Sequence, residues 1–350
     1  MTYRSGEMKM HNFTNDYSEG AHPKVLEIML ESNLEQNEGY GLDKHSERAR
    51  ELIRRWIDMP NADVHFIPGG TQTNLLVVSS FLRPHQCVIS ADTGHINVHE
   101  TGAIEATGHK VVTVPGTDGK LTPQLIQSVV GSHVDEHMVQ PKMVYISNST
   151  ELGTIYTKSE LQDIRETCLK NGLLLYLDGA RIGTALTSRL NDLSIEEVAR
   201  LVDVFYIGGT KNGALLGEAL VICKEELQED FRYLMKQRAA MPAKGFVLGM
   251  QFEALMKDGL YLSLATHANE MASKVADIFR ENGYGFYTEP CTNQVFPIVP
   301  NELAKRLIRD FGCLFQAQID DDNVCVRFVT SWATSQSSID RLRSFFQEHI

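Results

Sequence analysis

Between residues 64 and 223, short apolar runs of strand length alternate with longer segments of helical periodicity, and few architectures accommodate that alternation. The runs fall at 64–67, 87–90, 110–114, 142–146, 173–178 and 202–207, with helical patterns at 75–82, 121–130 and 158–171 between them. Strands joined by helical crossovers pair in parallel. The near-continuous apolar character of runs such as Leu173-Leu-Leu-Tyr-Leu requires both sheet faces to be covered. The expectation is an α/β domain with a mostly parallel sheet.

Two of these runs end in charge. Phe205-Tyr-Ile-Gly-Gly-Thr-Lys-Asn-Gly213 breaks at its glycine pair and delivers Lys211 to the strand's carboxyl end. Lysine is costly to bury, so one set between a core strand and a glycine-rich, apolar stretch is either functional or an exposed loop tip. Leu173-Leu-Leu-Tyr-Leu-Asp178-Gly-Ala-Arg181 ends in an acid, two small residues and a base. Asp178 suits a carboxylate held against a flat cationic ligand at the open end of a parallel sheet, and it also suits a helix N-cap. Lysine on one strand end and aspartate on another are the two groups that pyridoxal phosphate requires: a Schiff base to its C4′ and a partner for its ring nitrogen.

Strand 64–67 runs into Pro68-Gly69-Gly70-Thr71-Gln72-Thr73-Asn74 before a helix, an arrangement whose exposed N–H groups and dipole favour a phosphate. Glycines there can also serve geometry alone. Asp92-Thr-Gly-His95-Ile-Asn-Val-His99-Glu100 places two histidines four apart, but no third ligand has suitable spacing and no metal is expected. His95, opening a helix after a strand, reads as a structural or ring-stacking residue. Strand 142–146 ends in Ser147-Asn148-Ser149-Thr150-Glu151, again polar.

Beyond residue 248 the pattern changes. Long helical segments at 250–281 precede strands at 295–299, 315–319 and 324–329, interleaved with helices at 301–311 and 337–348. This suggests three parts: an N-terminal segment 1–45 contributing to site and interface, a large α/β domain 46–247, and a smaller α+β domain 248–350. Arg327, within Cys325-Val-Arg-Phe-Val, either has an anionic partner or faces water from an edge strand.

A net charge of -12 with pI near 5.5 opposes non-specific binding to nucleic acid or anionic membrane. The six cysteines form no C-x-x-C pair, and the polar first twenty residues lack an apolar signal core. A cytoplasmic protein without a disulfide framework is the expectation.

Taken together, these residues resemble the fold-type-I pyridoxal phosphate enzymes and, within them, the L-threonine aldolase and β-eliminating lyase family. The motifs occur in the family's order: Asn15-Asp16-Tyr17-Ser18, Gly70-Thr71, Asp92-Thr-Gly-His95, Asp178-Gly-Ala-Arg181, Gly209-Thr-Lys-Asn-Gly213 and Arg327-Phe-Val-Thr-Ser-Trp332. The resemblance implies Lys211 as the Schiff-base lysine, Asp178 as partner of the ring nitrogen and His95 stacked on the ring. It implies phosphate binding by Gly70 and Thr71 with Thr210 nearby, and a substrate-carboxylate clamp of Arg181, Arg327 and Asn15. It further implies a homodimer or homotetramer with sites at the subunit interface, and low-specificity cleavage of L-threonine or L-allo-threonine to glycine and an aldehyde. β-Elimination or transamination of another β-substituted amino acid is the alternative on the same scaffold.

Three positions depart from the family pattern. Ser149-Thr150-Glu151 stands where many members carry a histidine, which leaves His95, Glu151 or a bound water as the base for the β-hydroxyl. Lys244 stands where others place an arginine that reaches a neighbouring subunit's phosphate. Asn15 replaces a common serine, and its amide retains a donor for a carboxylate.

Overall fold

The computed structural model describes residues 12–349; residues 1–11 of the expected N-terminal segment and residue 350 lie outside it. The chain opens with helices α1 (Pro23–Glu31) and α2 (Lys44–Trp56), then β1 (Asp63–Ile67), α3 (Gly70–Phe81), β2 (Gln86–Ala91), α4 (His95–Val98) and β3 (Lys110–Val114). There follow α5 (Pro123–Ser132), β4 (Gln140–Ser147), α6 (Lys158–Lys170), β5 (Leu174–Asp178), α7 (Ile182–Leu186), α8 (Ile195–Leu201), β6 (Val204–Gly208) and β7 (Glu218–Ile222). The remainder comprises α9 (Phe231–Gln237), α10 (Phe246–Met256), α11 (Leu260–Glu281), β8 (Gln294–Val295), β9 (Ile298–Pro300), α12 (Asn301–Phe311), β10 (Leu314–Gln318), β11 (Asn323–Val329) and α13 (Gln336–His349).

The first seven strands form one sheet in the order β1-β7-β6-β5-β4-β2-β3. Pairing is parallel from β6 through β5, β4 and β2 to β3, and β7 runs antiparallel to both β1 and β6. β5, β6 and β7 are buried along their whole length, as strands covered by helices on both faces must be. Local signals set the helix starts. Thr122 caps α5 with Pro123 behind it, and Thr157 and Glu160 form a reciprocal capping box at α6.

The second sheet is antiparallel, with β11 between β10 and β8 and also paired to β9. The strand expected at 295–299 forms two short pieces, β8 and β9, which pair with β11 in one continuous register, Val295 opposite Phe328 and Ile298 opposite Cys325. The hydrophobic clusters divide inside α11. Leu260, Tyr261 and Leu264 pack with the large sheet, whereas Met271, Val275 and Phe279 pack with the small one. The expected domain start at 248 lies ahead of this divide. Residues 13–16 run along the seam between the two sheets: Phe13 donates its N–H to Phe311 O at 2.9 Å and accepts from Val329 N at 2.9 Å.

Candidate active site

All the parallel strands point their carboxyl ends to one edge of the large sheet, and the chain leaves that edge in loops that carry the charged residues. β5 ends at Asp178, and β6 leads to Lys211. The glycines between them permit a close approach. A Cβ on Gly179 would stand 1.8 Å from Tyr206 O, and one on Gly208 would stand 2.2 Å from Ala180 O. β1 leads to Gly70, β2 to His95 and β4 to Glu151. Because β7 is antiparallel, its beginning lies at this same edge, where Glu218 is in register with both Ile67 and Gly208. From the small sheet β11 adds Arg327, and the seam segment adds Asn15 and Asp16. The loops enclose an open cleft of about 850 Å³ lined by Lys211, Asp178, His95, Arg181, Arg327 and Glu218 among others.

Asp178 is buried and held by four donors: Tyr206 Oη at 2.5 Å, Tyr145 Oη at 2.7 Å, the Ala180 N–H at 3.0 Å and Asn74 Nδ2 at 3.1 Å. Burial opposes its ionisation, but the neighbouring His95 imidazole and these hydrogen bonds outweigh it and hold the carboxyl below the ordinary carboxylate range. α7 starts at Ile182 with Arg181 at its N-cap, so Asp178 is a strand-end acid rather than a helix cap. Lys211 is in the cleft and not at a loop tip. Burial and the nearby Arg181 lower its ammonium pKa against the opposing pull of Asp16, Asp178 and Glu218.

Glu218 is a buried carboxylate inside an otherwise apolar strand. It accepts the Gly209 N–H at 2.9 Å and the Thr210 hydroxyl at 2.8 Å. Burial pushes it up to about 7, despite those hydrogen bonds and Lys211. Thr210, expected near a phosphate, thus has its hydroxyl proton on Glu218 and accepts from the Gly217 N–H at 3.0 Å.

Arg181 is bound along one side by Asp16, with Nε–Oδ2 at 2.7 Å and Nη2–Oδ1 at 3.0 Å; Asn293 Nδ2 completes the carboxylate at 2.9 Å. Among the described residues Arg327 forms no ion pair with a carboxylate. Its Nε is buried without an acceptor, and its Nη2 reaches Thr14 O at a long 3.5 Å. Burial and the adjacent Arg181 press its guanidinium towards the neutral form. Arg181 is paired with Asp16 while the neighbouring Arg327 forms no such pair among the described residues, which leaves a place for one more anion. Asn15 lines the cleft, its side-chain oxygen accepting from the Tyr17 N–H at 2.9 Å and Ser18 Oγ at 3.0 Å.

His95 opens α4, as expected. Its Nδ1 lies 2.8 Å from Glu100 Oε1, and Asn74 Nδ2 donates to the same oxygen at 2.7 Å. Glu151 accepts the His95 N–H at 2.9 Å and the Ser147 hydroxyl at 2.7 Å through one oxygen; burial pushes its carboxyl up. Gly70 and Thr71 open α3, where the first-turn N–H groups have no carbonyl within the helix. Lys244 is different. It is exposed in the turn before α10 and does not line this cleft. Sequence reasoning missed the tyrosine collar of Asp178, the role of Asp16 and the presence of Glu218. Glu218 had a readable signal, an acid at the head of the apolar run Glu-Ala-Leu-Val-Ile.

A mostly parallel sheet with a strand-end lysine and aspartate, closed by a smaller antiparallel sheet, is the scaffold of the fold-type-I pyridoxal phosphate enzymes. A double mutant of Thermus thermophilus aspartate aminotransferase shares that fold, with a TM-score of 0.72 at 14% identity over 97% of this chain and 91% of its own. Within the scaffold, the chain belongs to the beta-eliminating lyase family, whose model matches residues 13–302. It is 33% identical over 344 residues to a low specificity L-threonine aldolase of Pseudomonas sp. (strain NCIMB 10558), covering 94% of this chain and 95% of that one. It is also similar to a solved threonine aldolase of Leishmania major, with 48% identity and a TM-score of 0.95, covering 97% and 99% of the two chains.

Proposed function

We propose that the protein is a pyridoxal-phosphate-dependent lyase that cleaves L-threonine, L-allo-threonine and related β-hydroxy-α-amino acids to glycine and an aldehyde. The observation that carries this reading is the pair of guanidinium groups in the cleft that holds Lys211 and Asp178: Arg181 is bound by Asp16, and the Arg327 Nε is buried with no acceptor among the described residues.

The donor set suits the cofactor. Lys211 is the amine that carries it, and its lowered pKa favours the unprotonated form that reacts with a carbonyl. Asp178, kept ionised by its collar, holds a proton on the ring nitrogen. His95, fixed by Glu100, covers the ring face. Gly70 and Thr71 meet the phosphate at the start of α3, with Thr210 on the wall nearby. A side chain on Gly70 would press towards Tyr206 Oη, which stands 3.3 Å from its Cβ position. Lys244 reaches the phosphate of a second copy, so the working unit is a dimer or tetramer. Among the described residues no helix is long and apolar enough to cross a membrane. We assign the enzyme to the cytoplasm on its cysteines, which are free.

When bound, the cofactor supplies a protonated ring that accepts the electron pair left on Cα. The protein decides which bond yields that pair. Arg181 and Arg327, with Asn15, hold the carboxylate and thereby turn the Cα–Cβ bond to the orientation from which it breaks. Asp16 keeps the Arg181 guanidinium in the plane this requires.

The test is acetaldehyde release from L-threonine and L-allo-threonine by the cofactor-loaded protein, with Lys211→Ala as control. Release by the wild type alone is expected. Pyruvate or another 2-oxo acid without aldehyde would instead favour elimination or transamination.

A further inference from the structure

The His95/His99 pair has only half its members employed by the site described so far. His99 ends the short α4, one turn after His95, and its ring packs on the His95 ring at a centroid distance of 5.4 Å and an angle of 54°. It lines the cleft together with Lys211, Arg181 and Arg327. Among the described residues neither of its ring nitrogens has a hydrogen-bond partner, whereas His95 has its Nδ1 on Glu100.

We infer that His99 is the base that takes the β-hydroxyl proton of the substrate, a role that rests on the retro-aldol reading above. The substrate's carboxylate belongs to the arginines and its amino group to the cofactor carried by Lys211. Of the groups lining the rest of the cleft, His95, His99 and Glu151 are those that can take a proton from the β-hydroxyl. Of these three, His95 has one nitrogen engaged and its face given to the cofactor. Glu151 has one oxygen filled by two donors, the His95 N–H and the Ser147 hydroxyl, and burial pushes its carboxyl up. Among the described residues His99 has no hydrogen bond to either ring nitrogen.

Its charge state fits as well. Partial burial lowers its pKa below the ordinary value, and the groups facing it (the His95 ring on its own helix, Arg327 from β11, the Lys211 amine after β6 and Arg181 at the start of α7) act in the same direction. It is therefore unprotonated near neutral pH, as a base must be. The carboxylate beside it on the chain, Glu100, is turned to His95. When the substrate carboxylate enters between the arginines, it offsets part of that positive field, and the basicity of His99 rises as the proton becomes available.

The step balances. The β-hydroxyl proton moves to a ring nitrogen of His99, the O–H electron pair becomes the second bond of the aldehyde carbonyl, and the Cα–Cβ pair stays on Cα. Cα then takes a proton from water to give glycine, and His99 returns its own to water, so no proton is gained or lost overall.

The experiment compares cofactor-loaded wild type with His99→Asn and His99→Gln in two reactions. One is aldehyde release from L-threonine and L-allo-threonine across pH. The other is exchange of the glycine α-proton in D2O followed by NMR, which needs Lys211, Asp178 and the cofactor but has no β-hydroxyl to deprotonate. The expected result is a fall in aldehyde release on the order of 10²-fold or more, with loss of the acidic limb of the pH profile and glycine exchange preserved. Two variants that release aldehyde within a few-fold of wild type would overturn the assignment, as would parallel loss of both reactions. Wild type that exchanges glycine protons but releases no aldehyde would sink the aldolase reading itself, and this proposal with it.

Discussion

Glu218→Gln separates the charge of this buried acid from its shape. The side chain lies in the strand next to β6 and is almost wholly excluded from water, and burial pushes its carboxyl from an ordinary 4.5 up to about 7. A glutamate raised in this way stabilises the fold in full below pH 4.5, where it is neutral folded and unfolded alike. That contribution is lost as the pH rises through about 7, because the unfolded chain ionises first. At 1.36 kcal/mol per pH unit the gap amounts to roughly 3 kcal/mol at pH 8. Gln is neutral throughout and keeps an oxygen for the Gly209 N–H, so the stability of the variant relative to wild type should climb by about that amount between pH 4.5 and 8. Urea unfolding midpoints of the cofactor-free proteins at several pH values give the comparison. A second consequence follows at Lys211, whose amine loses an anionic neighbour that raises its pKa. The variant should therefore combine with pyridoxal phosphate at lower pH than wild type. Parallel stability curves for the two proteins across this range would refute the argument, since they would mean that Glu218 ionises normally in the folded state.

Asp16→Asn leaves Arg181 buried beside Lys211 and Arg327 without its carboxylate. Loss of one partner from such a pair costs about 3–5 kcal/mol. Urea unfolding should show that loss, and substrate should recover part of it by supplying a carboxylate of its own. Tyr206→Phe removes the shortest hydrogen bond to Asp178. Asp178 then ionises less readily, and the cost of a lost bond to a buried charge is about 1–3 kcal/mol. Weaker cofactor retention with an unchanged KM for threonine is the expected outcome, measured by cofactor titration and initial rates.

The fold was legible because its signals are local. Each apolar run of the large domain became one strand, the run at 295–299 became two short ones, and the Thr122-Pro123 start of α5 sits where the sequence puts it. The site was legible where chemistry sits at strand ends, as with Lys211, Asp178, Gly70 and His95. What sequence did not disclose depends on pairings between distant parts of the chain. Asp16 meets Arg181 across 165 positions, and Tyr145 and Tyr206 reach Asp178 from the strands on either side of it. A tyrosine in an apolar run reads as core, and nothing in its neighbours says that its hydroxyl has a carboxylate to meet. The direction of β7 was equally hidden. An antiparallel strand within a parallel sheet brings its first residue, not its last, to the functional edge, and that is what puts Glu218 there.

The distribution of charge over the cleft explains why both sheets are needed. The large sheet by itself supplies Lys211, Asp178 and Glu218, an amine with two acids, which serves a cofactor but gives no strong hold on an amino-acid carboxylate. Arg181 follows β5 by three residues, yet a lone buried guanidinium beside a lysine amine would be expelled or would drive that amine neutral. Asp16 resolves the conflict, and its position is fixed by Phe13, whose backbone is bonded to α12 and to β11 of the small sheet. Arg327 comes from β11 as well. The cation that lacks an acid and the acid that restrains the other cation thus descend from the same packing, the cluster of Phe13, Phe279 and Phe328. A mutation that loosened that cluster would disturb carboxylate binding before it touched Lys211 or Asp178, because the latter rest on the sheet and the former rests on the seam.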